Sequence, residues 1–207
     1  MQGVFEDFLK TGGIPEFVIH NETSYLQDLV DDILYKDIAA VYGIRDIWLL
    51  KDYFLLLMER SGKVISINKI ASILKISPDT AKRYLEMFAD TYLIYLVSRY
   101  GKTNERILAP KKIYAADTGI RTLFCGFRDK GSLFENYIYL QLKQYNPQYI
   151  YKEGTEIDFY LGNKTLIEVK YHPESLEARQ QSLFDTFPAK EKFIFRSHED
   201  LERWMKK

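Results

Sequence analysis

The chain is poor in the features that would set it apart from an ordinary folded protein of a reducing compartment. One cysteine, Cys125, stands among 207 residues. No disulfide can form within the chain, and a lone thiol is expected to pack in a core, with a cytoplasmic location. The 29 Lys and Arg are matched by 29 Asp and Glu, for a formal net charge of zero. That removes the whole-chain basic field of a typical nucleic-acid binder, so any DNA-facing surface has to come from local clustering. No apolar run reaches the roughly 20 residues of a membrane span, and the opening residues do not read as a signal peptide. Internal repeats and low-complexity linkers are lacking too. The histidines His20, His172 and His198 have no metal-ligand spacing and are read as surface or packing residues. What is abundant is apolar and aromatic side chain, 46% and 15% of the residues, enough for one or two domains with real cores.

The most informative stretch is Thr155-Glu156-Ile157-Asp158 followed by Glu168-Val169-Lys170. It reads as a β-hairpin, with strands Ile157 to Leu161 and Thr165 to Lys170, and with Gly162 and Asn163 supplying positive φ in the turn. That register sets Leu161 against Thr165, Tyr160 against Leu166, Asp158 against Glu168 and Glu156 against Lys170. Side chains alternate along a strand, so the four charged residues share one face and Ile157, Phe159, Leu161, Ile167 and Val169 the other. Opposed like charges are unfavourable. A hard divalent cation held by both acids would relieve the repulsion, because Mg²⁺ takes one or two carboxylates plus water and phosphate oxygens. A solvated charged face of a half-buried hairpin, with Lys170 in an ordinary ion pair, is the competing reading.

Upstream, Val4 to Lys10 reads as a short helix, and Ser24 to about Val41 as a longer one. Trp48 to Glu59 reads as a strongly apolar helix. Ser66 and Ser77-Pro78 carry the signals of two helix starts, at Ile67 and at the first helical proline. Ala81, Leu85 and Phe88 form the inner stripe of the second. A strand from Leu93 to Tyr100, a turn at Gly101 to Glu105 and a return strand through Ile113-Tyr114 complete the order of a winged helix-turn-helix. Between residues 82 and 112 stand Lys82, Arg83, Arg99, Lys102, Arg106, Lys111 and Lys112, against Glu86, Asp90 and Glu105. This local excess favours phosphate contact, with Lys82, Arg83, Lys102 and Arg106 as the DNA-binding candidates. A protein-docking winged helix is the alternative.

Ser132 and Glu135 have the spacing of a capping box at the start of a helix reaching about Tyr145. Glu135 is equally a candidate third acid for the hairpin. Pro173 to Phe187 reads as a helix, Glu191 to Phe195 as a strand, and His198 to Lys207 as a terminal helix.

The spacing from Asp158 to Glu168-Val169-Lys170 resembles the signature of the PD-(D/E)XK nuclease superfamily, although Ile157 stands where many members have proline. The resemblance implies a restriction-endonuclease-like fold, with metal (Mg²⁺ or Mn²⁺) at Asp158 and Glu168, helped by Glu135, and a catalytic role for Lys170. Gln180 and Phe184 are similar to a glutamine-aromatic helix motif in some nuclease branches. More broadly, several landmarks resemble the region after the ATPase module of a family of prokaryotic AAA-type ATPases. They are Gly12-Gly13-Ile14-Pro15-Glu16, Tyr35-Lys36-Asp37-Ile38, Pro110-Lys111-Lys112-Ile113-Tyr114, Asp117-Thr118-Gly119 and Phe134-Glu135-Asn136. The resemblance implies an upstream ATPase domain that would hold the ATP. Gly101-Lys102-Thr103 lacks the leading glycine of a phosphate loop, since position 96 is Leu96, so no ATP hydrolysis is expected of these residues. The expected architecture is mixed α/β: a helical segment over 1–47, a winged helix over 48–116 and a nuclease-like α/β domain over 117–207. The expected partners are DNA, a protein partner and the upstream ATPase, with no membrane. The expected function is Mg²⁺-dependent DNA cleavage, or else non-catalytic DNA or protein binding on the same fold.

Overall fold

The computed structural model describes residues 2–171 and 175–207, with Gln2 by its backbone alone. The architecture is mixed α/β, and the chain divides into two compact units: residues 1–96 with 113–128, and residues 97–112 with 129–207. These boundaries differ from the expected ones at 47/48 and 116/117. His172 and the Pro173 start of the expected helix lie outside the described residues.

The first unit is helical. It contains α1 (Gln2–Thr11), α2 (Pro15–His20) and α3 (Thr23–Asp32), which runs on through a π-helical stretch (Ile33–Ala39) into α4 (Ala40–Tyr42). The α3 helix starts after Glu22, with no side-chain cap, and not at the expected Ser24. Asp46 caps α5 (Ile47–Glu59), Ser66 caps α6 (Ile67–Leu74) and Ser77 caps α7 (Pro78–Asp90). Lys75 takes a left-handed conformation (φ 55°) to turn the chain between α6 and α7. Leu50, Tyr53, Phe54 and Leu57 of α5 join Ile70, Ala81, Leu85 and Phe88 in one core. The Tyr53 hydroxyl donates to Ala81 O at 2.8 Å, so the one polar atom that α5 buries there is satisfied.

The landmark Gly12-Gly13 and Asp117-Thr118-Gly119 meet in this unit. Asp117 caps α9 (Thr118–Cys125) through Gly119 N at 2.7 Å and Ile120 N at 3.2 Å, and accepts from Gly13 N at 2.8 Å. A Cβ on Gly12, which has φ +72°, would run into the Asp117 carboxylate, and one on Gly119 would run into Thr11 O. The motif is a clasp between the end of α1 and the start of α9.

β1 (Ile94–Val97) and β2 (Lys112–Ala115) form a two-stranded sheet. The connection between them is not the expected wing turn, because α8 (Thr103–Leu108) occupies it. Residues 98–100 run beside β3 (Gln148–Lys152) instead: Tyr149 N donates to Ser98 O at 3.1 Å, Tyr100 N donates to Tyr149 O at 2.8 Å, and the Tyr149 hydroxyl donates to Pro110 O at 2.6 Å. A segment whose backbone groups are taken up by a sheet edge is not free to form a wing.

The second unit is built on a four-stranded sheet ordered β3, β4 (Thr155–Tyr160), β5 (Thr165–Val169), β6 (Glu191–Phe195). The first two pairings are antiparallel and the last is parallel. Helix α10 (Lys130–Leu142) precedes the sheet, α11 (Ala178–Thr186) carries the chain from β5 to β6, and α12 (His198–Met205) ends it. Tyr160 pairs with Leu166, as the expected register requires. In the hairpin turn, however, the positive φ falls on Lys164 (68°), not on Gly162 or Asn163. Asn163 serves through its side chain, which accepts from Thr165 N at 3.1 Å.

Candidate functional site

The β4–β5 ladder pairs Phe159 with Ile167 and Tyr160 with Leu166 and goes no further towards Asp158. Beyond it the side chains take over the backbone's work. Asp158 N donates to Glu168 Oε2 at 3.3 Å, and Val169 N donates to Asp158 Oδ2 at 2.9 Å. Each acid holds the opposite strand's amide, so the two carboxylates converge at the point where the strands part.

The remaining oxygens are engaged as well. Glu168 Oε1 accepts from Gln180 Nε2 of α11 at 2.7 Å and lies 3.2 Å from the Lys170 ammonium. The same Gln180 amide donates to Glu156 O at 3.0 Å, tying α11 to β4. Asp158 Oδ1 is 2.9 Å from Lys112 Nζ. The Lys112 ammonium also meets Glu135 Oε1 at 2.7 Å and Glu156 Oε1 at 2.5 Å, and its side chain is completely shielded from water. Burial of a cation this deep requires such company.

Several expectations are corrected here. The charged face of the hairpin is not a solvent face, because Asp158 and Glu168 are only 7% and 1% exposed. Lys170 does not pair with Glu156. Its backbone N–H turns to Phe195 O at 2.9 Å while its side chain stays with Glu168. Glu135 is not part of a capping box: Asp129 caps α10, accepting from Ser132 N at 3.3 Å, and the Glu135 carboxylate goes to Lys112.

The basic cluster between residues 82 and 112 also comes apart. Lys82 and Arg83 are exposed on α7 in the first unit, whereas Lys102 and Arg106 are exposed in the second. Lys111 is tied to Ser98 and Arg106 O, and Arg99 to Tyr151 O. Lys112 is the residue the sequence misplaces most. Counted there with the surface cations, it is central to the site, and its only local signal is a lysine at the head of an apolar strand.

Electrostatics follow from the burial. The Glu168 carboxyl is held well above the usual carboxylate range, first by burial and then by the Asp158 charge, with Lys170 and Lys112 opposing. Burial also pushes Glu156 up, against the pull of Lys112. In donor type the centre suits a hard divalent cation, which takes carboxylate oxygens. Yet among the described residues no three of His, Cys, Asp and Glu come together as a metal-holding group, and the Lys112 ammonium lies between Glu135 and Asp158. A separate cavity of about 650 Å³ is lined by Lys152, Glu153, Thr155, Arg179, Ser182 and Thr186, among others, and by none of Glu135, Glu156, Asp158 and Glu168. Among the described residues no helix is long and apolar enough to cross a membrane.

Over 183 residues the chain is 32% identical to a protein of Methanocaldococcus jannaschii described as uncharacterized, an alignment covering 80% of this chain and 41% of that protein. A Haemophilus influenzae protein, likewise described as uncharacterized, is 25% identical over 169 residues, which is 75% of this chain and 42% of its own length. The chain therefore spans about two fifths of the length of these relatives. No solved structure is a significant match. One family model, described as a domain of unknown function (DUF8612), matches residues 2–131, which takes in Lys112 and stops short of Glu135 and the hairpin. That match covers more than half of the sequence, and the chain belongs to the DUF8612 family.

Proposed function

We propose that the second unit is a nuclease-like domain that cleaves the phosphodiester backbone of DNA in a Mg²⁺-dependent reaction. The observation that carries this is the meeting of Asp158, Glu168, Lys170 and Gln180 at the point where β4 and β5 part. The order helix, antiparallel strands, helix, parallel strand, expected of such a core, supports it.

A metal held by Asp158 and Glu168 would polarise the scissile phosphate and acidify a water molecule. The chain's own groups do the rest. Gln180 and the Asp158 amide fix the Glu168 carboxylate, and the Val169 amide fixes Asp158. Lys170, partly exposed, offers an ammonium to charge developing on phosphate. Glu168 must lose its proton to act, so activity is expected to rise with pH above the ordinary carboxylate range. Lys82 and Arg83 on α7 would contact DNA phosphates as part of a helix-turn-helix made by α6 and α7, and Lys152 and Arg179 at the cavity offer further cations. In the whole protein this region would follow an AAA-type ATPase module in the cytoplasm, a reading compatible with relatives of which the match covers about two fifths.

The test is a cleavage assay on plasmid and linear DNA across Mg²⁺ and Mn²⁺. Lys170→Ala should lower the rate by about 10²-fold or more; equal rates for variant and wild type, or cleavage indifferent to metal, would end this reading. A second reading is a non-catalytic DNA- or protein-binding module coupled to the ATPase. It is favoured by one observation: both oxygens of Asp158 and both of Glu168 already have protein donors. Calorimetry in which DNA binds and divalent cations do not would select it.

A further inference from the structure

We propose that Lys112 is a built-in cation holding the metal position of the acidic centre, so that its ammonium and a divalent metal exclude one another at Asp158 Oδ1. The inference rests on the metal-dependent reading above and adds to it the residue that controls occupancy.

Three observations point the same way. The Lys112 ammonium lies between Asp158 and Glu135, at 2.9 and 2.7 Å, and these are two of the three acids a metal would recruit. The side chain is fully buried, so the ammonium has no water shell to fall back on and is held by three carboxylates from two elements: Glu135 of α10, and Glu156 and Asp158 of β4. Finally, the other Asp158 oxygen is committed to Val169 N, which leaves Oδ1 as the oxygen that Lys112 and a metal would have to share. An ammonium and a divalent cation cannot occupy one position beside the same oxygen, because they repel at contact distance and compete for the same lone pairs. Lys170 is differently placed: it reaches Glu168 alone and is partly exposed, so it can stay when a metal enters.

The exchange is read by binding and by stability, independently of cleavage. Mn²⁺ is titrated by calorimetry into the wild type, Lys112→Met and Lys112→Arg, each as the full chain, and thermal unfolding of the same samples is followed with and without Mn²⁺. Lys112→Met keeps the length of the stem and removes the charge, and is expected to bind Mn²⁺ at least about tenfold more tightly than wild type, a gain that appears as a larger Mn²⁺-induced rise in unfolding temperature. Lys112→Arg keeps a cation and is expected to behave as wild type does. Equal affinity in wild type and Lys112→Met, or loss of binding in Lys112→Met, overturns the exclusion while leaving the metal reading in place. Absence of Mn²⁺ binding in all three proteins overturns both. If Lys112→Met is unfolded without metal, Mn²⁺ must restore its cooperative transition; a variant that stays unfolded at every Mn²⁺ concentration overturns the exclusion.

Discussion

At the scale of single residues, two charges define the second unit. Glu168 carries a carboxyl held above its ordinary range mainly by burial. In the unfolded chain it titrates in the ordinary range, so below that range both states are protonated and the group contributes nothing to pH dependence. As pH rises through the window between the ordinary and the raised value, the unfolded chain gives up its proton first, and stability falls. Glu168→Gln should therefore flatten the decline in stability over that window, measured by urea unfolding at a series of pH values; an unchanged slope would count against a raised Glu168. Lys112 has the opposite consequence. Removing one member of a buried ion cluster strands the others, and Lys112→Met should lose about 3–5 kcal/mol in metal-free buffer, read from chemical denaturation. Neither charge could be weighed from the sequence. The spacing of Asp158, Glu168 and Lys170 set them together correctly, but burial is a property of what covers a face. The partner of Glu135 and Asp158 lies 46 positions upstream of the latter, beyond any local pattern.

At the scale of elements, the caps were legible and the connections were not. Ser66 and Ser77-Pro78 start α6 and α7 where a side-chain acceptor and a first-turn proline are needed. The inner stripe Ala81, Leu85, Phe88 is buried as helical periodicity requires. The strand Glu191–Phe195 has the bounds read from its residues. Strand β3 and the helix over Thr103–Leu108 carry no clear signal of their own, because a short segment takes its conformation from what it packs against more than from its own preferences. The clasp at Asp117 shows the same limit from the other side: Gly12-Gly13 and Gly119 stood out as landmarks, but their contact reason needs both ends of the fold. Asp117→Ala removes a cap and a bond to Gly13 and should cost about 1–2 kcal/mol, with Gly119→Ala also destabilising because its Cβ meets the Thr11 carbonyl. Thermal unfolding that leaves both variants at the wild-type midpoint would refute the clasp.

At the scale of the whole molecule, neutrality and division matter most. Lys82 and Arg83 belong to one compact unit, and Lys102 and Arg106 to the other, so the DNA-binding proposal separates into independent contributions. Each of Lys82→Ala and Arg83→Ala should weaken DNA binding uniformly across sequences and reduce the salt dependence of the binding constant by about one unit of slope. Fluorescence anisotropy at several salt concentrations checks this, and slopes indistinguishable from wild type would assign α7 to protein docking. The three places where the chain passes from one unit to the other, after residues 96, 112 and 128, explain why reading in sequence order drew the borders elsewhere. A division that interleaves segments has no composition shift or linker to mark it.

The reciprocal grip at the parting of β4 and β5 has a last consequence. Because Asp158 and Glu168 each secure a main-chain amide of the facing strand, an alanine at either position opens the hairpin as well as removing an acid. Deuterium uptake should then accelerate at Val169 when Asp158 is cut back, and at Asp158 when Glu168 is cut back, leaving Phe159 and Ile167 slow. These two positions join the hydrogen-bonded framework of the hairpin to its chemistry, and asparagine or glutamine, which keep an acceptor oxygen, are the replacements that separate one role from the other.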